Sequence, residues 1–216
     1  LPVEVVADPF GAALREASQC LSIARRIGHR EWTALSLAVV GGVQRRCGKA
    51  QQALELHQEM LAISEEAGST LWVAAALGRL GEDYAQLGDE QRAAGLLADA
   101  IKASGEALKF VLGPMLAAAD LELRCGRATG ALERARQLEQ KAPQYEVFTI
   151  NARCIQGEAL ALLGRSSEAE TVLRQVIERS SSLDAVLPGW RAGLALSKLL
   201  RSSRRDTEAV SAAADA

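Results

Sequence analysis

The residues suited to acid/base, metal or nucleophilic chemistry are few and scattered. There are two histidines, His29 and His57, and four cysteines, Cys20, Cys47, Cys125 and Cys154. His29 stands beside Arg30 and Glu31 in turn-like sequence. His57 lies in a helical pattern beside an apolar face, where a tolerated or hydrogen-bonded histidine is far more common than a general base. No CxxC pair and no His/Cys cluster has metal-site spacing. No serine or cysteine sits in a nucleophile motif, and the sequence contains no GxxxxGK[ST] loop, no GxGxxG turn after a strand and no HExxH helix. The acidic pairs Glu65-Glu66 and Glu82-Asp83 fall on amphipathic patterns, where a solvated face accounts for them. The basic run Arg201, Arg204, Arg205 reads as solvation of a closing element, or as a contact for an acidic partner. The expectation is no enzyme, with no catalytic residue, cofactor or metal.

What must position any site is a repeat. Glycines at 48, 88, 126 and 164 stand at intervals of 40, 38 and 38 residues. Each is followed five residues later by alanine (Ala53, Ala93, Ala131, Ala169) and preceded by sixteen by an aromatic residue (Trp32, Trp72, Phe110, Phe148). Three landmarks in register over four copies describe a stacked array whose units contact their neighbours along one continuous core. Helical spacing flanks every glycine, as with Leu77, Leu80, Gly81 and Tyr84 before Gly88 and Ala93, Leu97, Ala100 and Ile101 after it. Gly88 suits a left-handed helix end, and Asp89 the cap of the helix that follows.

The unit is thus a helical hairpin, with helices expected near 31–47 and 50–67, 71–87 and 89–107, 109–125 and 127–141, and 145–163 and 166–182. Residues 1–9 read as an N-terminal extension and 10–28 as an orphan second helix. The repeats span 31–68, 71–107, 109–142 and 145–183, and a capping pair 186–216. Together 10–216 reads as a single array. Gly28-His29, Gly68-Ser69, Ala142-Pro143 and Ser180-Ser181-Ser182 supply the turns between hairpins. Leu187, Pro188 and Gly189 are read as a break before a helix resuming at Trp190. That residue lies 42 beyond Phe148 while Glu208-Ala209 echoes Glu168-Ala169 at 40, leaving the last register open by two residues.

Composition narrows the function classes. With 49% apolar and 4% aromatic residues the chain favours close-packed helices, and the fold class is all-α. With 25 basic and 27 acidic residues, net −2, no global field draws nucleic acid or anionic lipid. No apolar run of membrane-spanning length appears. The cysteines are expected as free buried thiols in a reducing cytoplasm. The chain starts at Leu1 with landmarks under way by Ala13, which leads us to expect a segment of a longer polypeptide.

Leu80-Gly81, Tyr84, Gly88, Ala93, Leu97 and Ala100 together resemble the tetratricopeptide repeat, whose signature is Leu-Gly, an aromatic three positions on, a turn glycine and alanines at the helix crossing. Gly41, Ala119 and Gly157 take the small-residue position in the other copies, and Pro143 the closing proline. The period of 38 to 40 exceeds the family's 34. This long variant is similar to arrays in large bacterial LuxR-type and maltose-activator-type regulators and in multidomain nucleotide cyclases. The resemblance implies a right-handed superhelix, or solenoid, of antiparallel hairpins, whose concave groove is lined by the first helices. Its polar groove positions fall on Arg45, Arg46, Arg79, Glu82, Gln86, Asp120, Arg124, Asn151 and Glu158, with Arg191 and Lys198 following if the last register allows.

Arg45, Arg46, Arg79 and Arg124 could hold a carboxylate-bearing peptide by charge-assisted bonds, or could simply keep the first helices soluble. Leu35, Val39, Leu116, Leu123, Ile155 and Leu162 fall among the same positions. The aromatic series reads as filler of the seams between hairpins, or as a ligand-binding ladder. The leading reading is a protein-interaction scaffold for a protein, a peptide or a neighbouring domain of the parent chain, without direct nucleic-acid or membrane contact. A small-molecule sensor and self-association through the repeat ends are the alternatives.

Overall fold

The computed structural model describes residues 9–183 and 185–214, with side chains described over 11–183 and 185–212. Eleven helices occur among them: α1 (Pro9–Arg26), α2 (Arg30–Arg46), α3 (Ala50–Glu66), α4 (Thr70–Leu87), α5 (Glu90–Ser104), α6 (Leu108–Arg124), α7 (Ala128–Lys141), α8 (Glu146–Leu162), α9 (Ser166–Ser182), α10 (Val186–Ser202) and α11 (Asp206–Ala214). No strand occurs among the described residues, and none of their helices is long and apolar enough to cross a membrane. The extension expected over 1–9 lies outside the described residues except for Pro9, which opens α1.

The described residues through Pro114 form one compact unit and those from Met115 another. In the first, α1 to α5 pack consecutively and α2 also meets α4; in the second, α7 to α11 do the same and α8 also meets α10. The hairpins follow from their turns. Gly48 and Gly88 have φ of 78° and 87°, a left-handed conformation that costs glycine nothing. Around Gly48, the Gly48 N–H donates to Arg45 O (3.0 Å) and the Lys49 N–H to Gln44 O (2.9 Å), closing the helix in a Schellman pattern. Asp89 caps α5, its Oδ1 accepting from the Arg92 N–H at 3.1 Å.

The helix crossings have one recipe. A Cβ on Gly81 would fall 2.7 Å from Leu97 Cγ, and one on Gly157 2.6 Å from Leu173 Cδ2. Glycine seven residues before the turn therefore receives the side chain nine residues after it. The landmark alanines Ala53, Ala93, Ala131 and Ala169 are all fully buried, so each hairpin closes around a methyl group.

Several local expectations are corrected. α10 runs without a break from Val186, since Pro188 stands in its first turn, where no intrahelical N–H is required. Its start lies 40 residues beyond that of α8, which settles the register: Pro188, not Trp190, matches Phe148. Ser180 to Ser182 end α9 instead of forming the turn. Only Cys154 of the four free thiols is buried, while Cys125 is half-buried and Cys20 and Cys47 are exposed. Trp72 meets Phe110 edge to face at 5.7 Å, as a seam requires, but the Trp32 ring meets that of His29 in its own turn and stays 59% exposed.

With the register at 40, Arg204 takes the turn-glycine position. Its φ is 59°, the sole positive φ of a non-glycine residue among those described. Its N–H donates to Arg201 O and that of Arg205 to Leu200 O, both 3.0 Å, the hydrogen bonds made around Gly48. Such a conformation costs a non-glycine residue about 1–2 kcal/mol, against about 0.5–1 kcal/mol for glycine's extra unfolded-state entropy. Arg204→Gly is expected to raise stability by about 0.5–1 kcal/mol and the melting temperature by about 1–4 °C, measured by differential scanning calorimetry.

Candidate functional site

In the first unit, two apolar repeat positions have turned polar together. The residue nine beyond the turn is Leu97, Ala135 or Leu173 in other hairpins but His57 here, and the residue five before it is Val43, Leu121 or Ala159 elsewhere but Asp83 in α4. Both His57 and Asp83 are fully buried, with Nδ1 and Oδ2 2.5 Å apart. The other ring nitrogen of His57 lies 3.5 Å from Ala38 O. Gly41 makes room: a Cβ there would fall 2.8 Å from His57 Cε1. Asp83 is thus a core residue and not part of a solvated face, because the helix turns that position toward α3.

The second oxygen of Asp83 accepts from Arg45 Nη1 at 3.2 Å, and Arg45 also pairs with Glu82. Arg79 reaches the same Glu82 at 3.3 Å, and Gln86 Nε2 donates to Arg45 O at 3.2 Å. With His57, six residues therefore form one network running from the core to the surface. Its arginines are occupied by carboxylates of their own unit, and of the three predicted arginines of α2 and α4 only Arg46 stands exposed without a salt bridge among the described residues.

In the second unit, one arginine collects three first helices. Arg191 of α10 donates to Glu158 of α8 through Nε (2.5 Å) and Nη2 (3.1 Å), and its Nη2 lies 2.7 Å from Asp120 Oδ1 of α6. Burial alone would weaken the Arg191 proton affinity, but the Glu158 hydrogen bond and the two carboxylate charges outweigh it and the pKa is raised. Cys154, one turn before Glu158, has its thiol pushed up to about 12, first by burial, which leaves it inert as a nucleophile at neutral pH.

Beside this clamp lies a groove of about 560 Å³ lined by α6, α8 and α10. Leu123 and Leu199 form its floor, 7% and 8% exposed, and Leu162 and Leu194 its walls, 63% and 41% exposed. Arg124 and Lys198 stand at its rim. Lys198 carries no hydrogen bond or ion pair among the described residues. Among those residues no group of three or more His, Cys, Asp or Glu is placed to hold a metal.

Residues 37–105 match the family model described as tetratricopeptide repeat. Those residues carry tetratricopeptide repeats. No curated protein matches the sequence. Among solved structures, BtubC (BKLC) from P. vanneervenii aligns with a TM-score of 0.72 at 13% identity, over 95% of this chain and 89% of that one. The apo form of RapI aligns at 0.74 and 15%, over 94% and 74%. A Rap protein complexed with competence and sporulation factor aligns at 0.61 and 16%, over 93% and 61%. At such identities the likeness is one of fold.

Within the helical hairpins the predicted positions divide by unit. Arg45, Arg79, Glu82 and Gln86 come together in the first around Asp83, with Arg46 exposed at the end of α2. Asp120 and Glu158 come together in the second through Arg191, with Arg124 beside them at the groove. Asn151 donates its side-chain amide to Val147 O at 2.7 Å on its own helix. The sequence reading missed His57–Asp83 and understated Arg191 and Lys198. Both omissions had a signal: paired departures from the apolar repeat pattern for the first, and Arg204 as a disguised turn residue for the second.

Proposed function

We propose that the chain is a non-enzymatic protein-interaction scaffold that takes an acidic, leucine-bearing segment of a partner protein into the groove of its second unit. The observation that carries this reading is the combination of an exposed apolar wall, Leu162 and Leu194, with Lys198 unpaired at the rim. A solvated helix face would not hold two such leucines around a cation. Arg191 offsets one of the two charges of Asp120 and Glu158, and Arg124 and Lys198 bring the total of these five groups to +1, which suits a carboxylate. Arg45, 15% exposed, holds Glu82 and Asp83 in place, and Arg79, Gln86, Arg46 and Asn151 supply the polar surround on their own units. The Rap protein solved in complex with competence and sporulation factor supports this fold as a receptor for a partner molecule. The free thiols and the long repeat period support a cytoplasmic bacterial regulator as the parent protein.

Fluorescence titration with a Glu-rich helical peptide carrying leucines at i, i+3 and i+7, against its Lys-rich counterpart, tests the proposal. The acidic peptide is expected to bind in the micromolar range and the basic one at least about tenfold more weakly. Lys198→Glu should reverse that preference and Leu162→Asp remove binding. Equal affinity for both peptides, or binding indifferent to both substitutions, would overturn it.

A further inference from the structure

The exposed apolar stripe of α2 is not explained by the groove of the second unit. Trp32, Leu35 and Val39 are 59%, 49% and 46% exposed, and with Gly42 and Arg46 they follow spacings of 3, 4, 3 and 4 residues along one helix face. That is the a/d seam of a helix made to pair with another helix. The stripe is not a requirement of the hairpin. At the equivalent places α4 carries Trp72, Ala75, Arg79, Glu82 and Gln86, of which Trp72 and Ala75 pack on the unit's own core.

We propose that α2 is a self-association surface and that its occupant is α2 of a second copy, antiparallel, with the two-fold axis passing at Val39. The stripe is complementary to its own reverse. Its N-terminal half is large, Trp32 and Leu35, and its C-terminal half small or flexible, Gly42 and Arg46. A Cβ on Gly42 would meet nothing within 4 Å, so the space over it is open. In the antiparallel pair Leu35 lies over the partner's Gly42, Val39 over the partner's Val39, and Trp32 under the guanidinium of the partner's Arg46. Glu31, one residue from Trp32, meets the same cation. Glu31 and Arg46 are both exposed, and neither has an ion-pair partner among the described residues. A parallel pair would instead set Trp32 on Trp32 and like charge on like charge at both ends. One helix pair buries less than the roughly 1,200 Å² of a standard interface, so the dimer is weak, with a Kd on the order of 10–100 μM.

Sedimentation equilibrium of the whole 216-residue chain, over a concentration range spanning that Kd, is the test. The native chain should show a reversible monomer–dimer equilibrium. Val39→Glu, at an exposed site, should give a monomer with an unchanged melting curve. Glu31→Arg and Arg46→Glu should each weaken the dimer about tenfold, and the two together should restore it to within about threefold, because the antiparallel pairing exchanges one charge for the other. A native chain that stays monomeric, or a dimer indifferent to Val39→Glu, would overturn the surface. Failure of the double variant to recover would overturn the antiparallel pairing even if Val39→Glu disrupts the dimer.

Discussion

Asp83→Ala is expected to destabilise the protein by about 3–5 kcal/mol, the cost of leaving a buried polar partner uncompensated. His57 would lose the acceptor at its Nδ1 and Arg45 the carboxylate that draws it inward. The informative comparison is the double substitution His57→Leu with Asp83→Leu. Leu97 and Leu173 already fill the first position in other hairpins, and Leu121 fills the second, so an apolar pair fits the crossing. Replacing both partners of a buried hydrogen-bonded pair by well-packed apolar residues is commonly neutral or stabilising. The double variant should therefore lie within about 1 kcal/mol of the native protein or above it. Urea unfolding followed by circular dichroism measures both. Additive losses in the double variant would mean that the pair is not the unit that matters.

Gly41→Ala carries the second largest effect. The added methyl would press on Cε1 and Cδ2 of His57 at 2.8 and 2.9 Å, and the ring is held on one edge by Asp83 and on the other by Ala38 O. Overpacking of this kind costs about 1–3 kcal/mol, and alanine's better helix propensity returns about 1 kcal/mol. Gly157→Ala meets Leu173 as closely, at 2.6 Å, yet a leucine can change rotamer where the bonded imidazole cannot. We expect a net loss of about 2 kcal/mol for Gly41→Ala and under about 1 kcal/mol for Gly157→Ala. In the His57→Leu, Asp83→Leu background the two glycines should become equivalent. Chemical denaturation of the three variants decides this, and equal losses in the native background would refute the locked-ring account.

The helical hairpins were legible because their landmarks are steric and local. A left-handed turn selects glycine at 48, 88, 126 and 164, and a close crossing selects alanine five residues later, whatever the protein does. One further landmark of the same kind went unread: sixteen residues after the turn a small residue is buried at the end of the second helix, Ser64, Ser104, Ala142 and Ser180. Ser64 and Ser104 tie their hydroxyls back to Met60 O and Ala100 O at 2.7 Å, which makes a polar residue tolerable there. The site was less legible, since amphipathic spacing says which face a residue occupies but not what it touches. Asp83 looked solvated beside Glu82 because both are acidic, and only the other copies' Leu121 and Ala159 reveal its position as core. Arg191 was hidden because Arg204 does a glycine's work without being one.

In a one-dimensional stack each hairpin senses its immediate neighbours, and damage at an end stays at the end. Arg191 departs from that rule, because its guanidinium joins the last hairpin not to the preceding one alone but also, through Asp120, to the one before. Loosening of α10 therefore exposes two carboxylates on two different hairpins at once, so these three hairpins hold together as a whole or release as a whole.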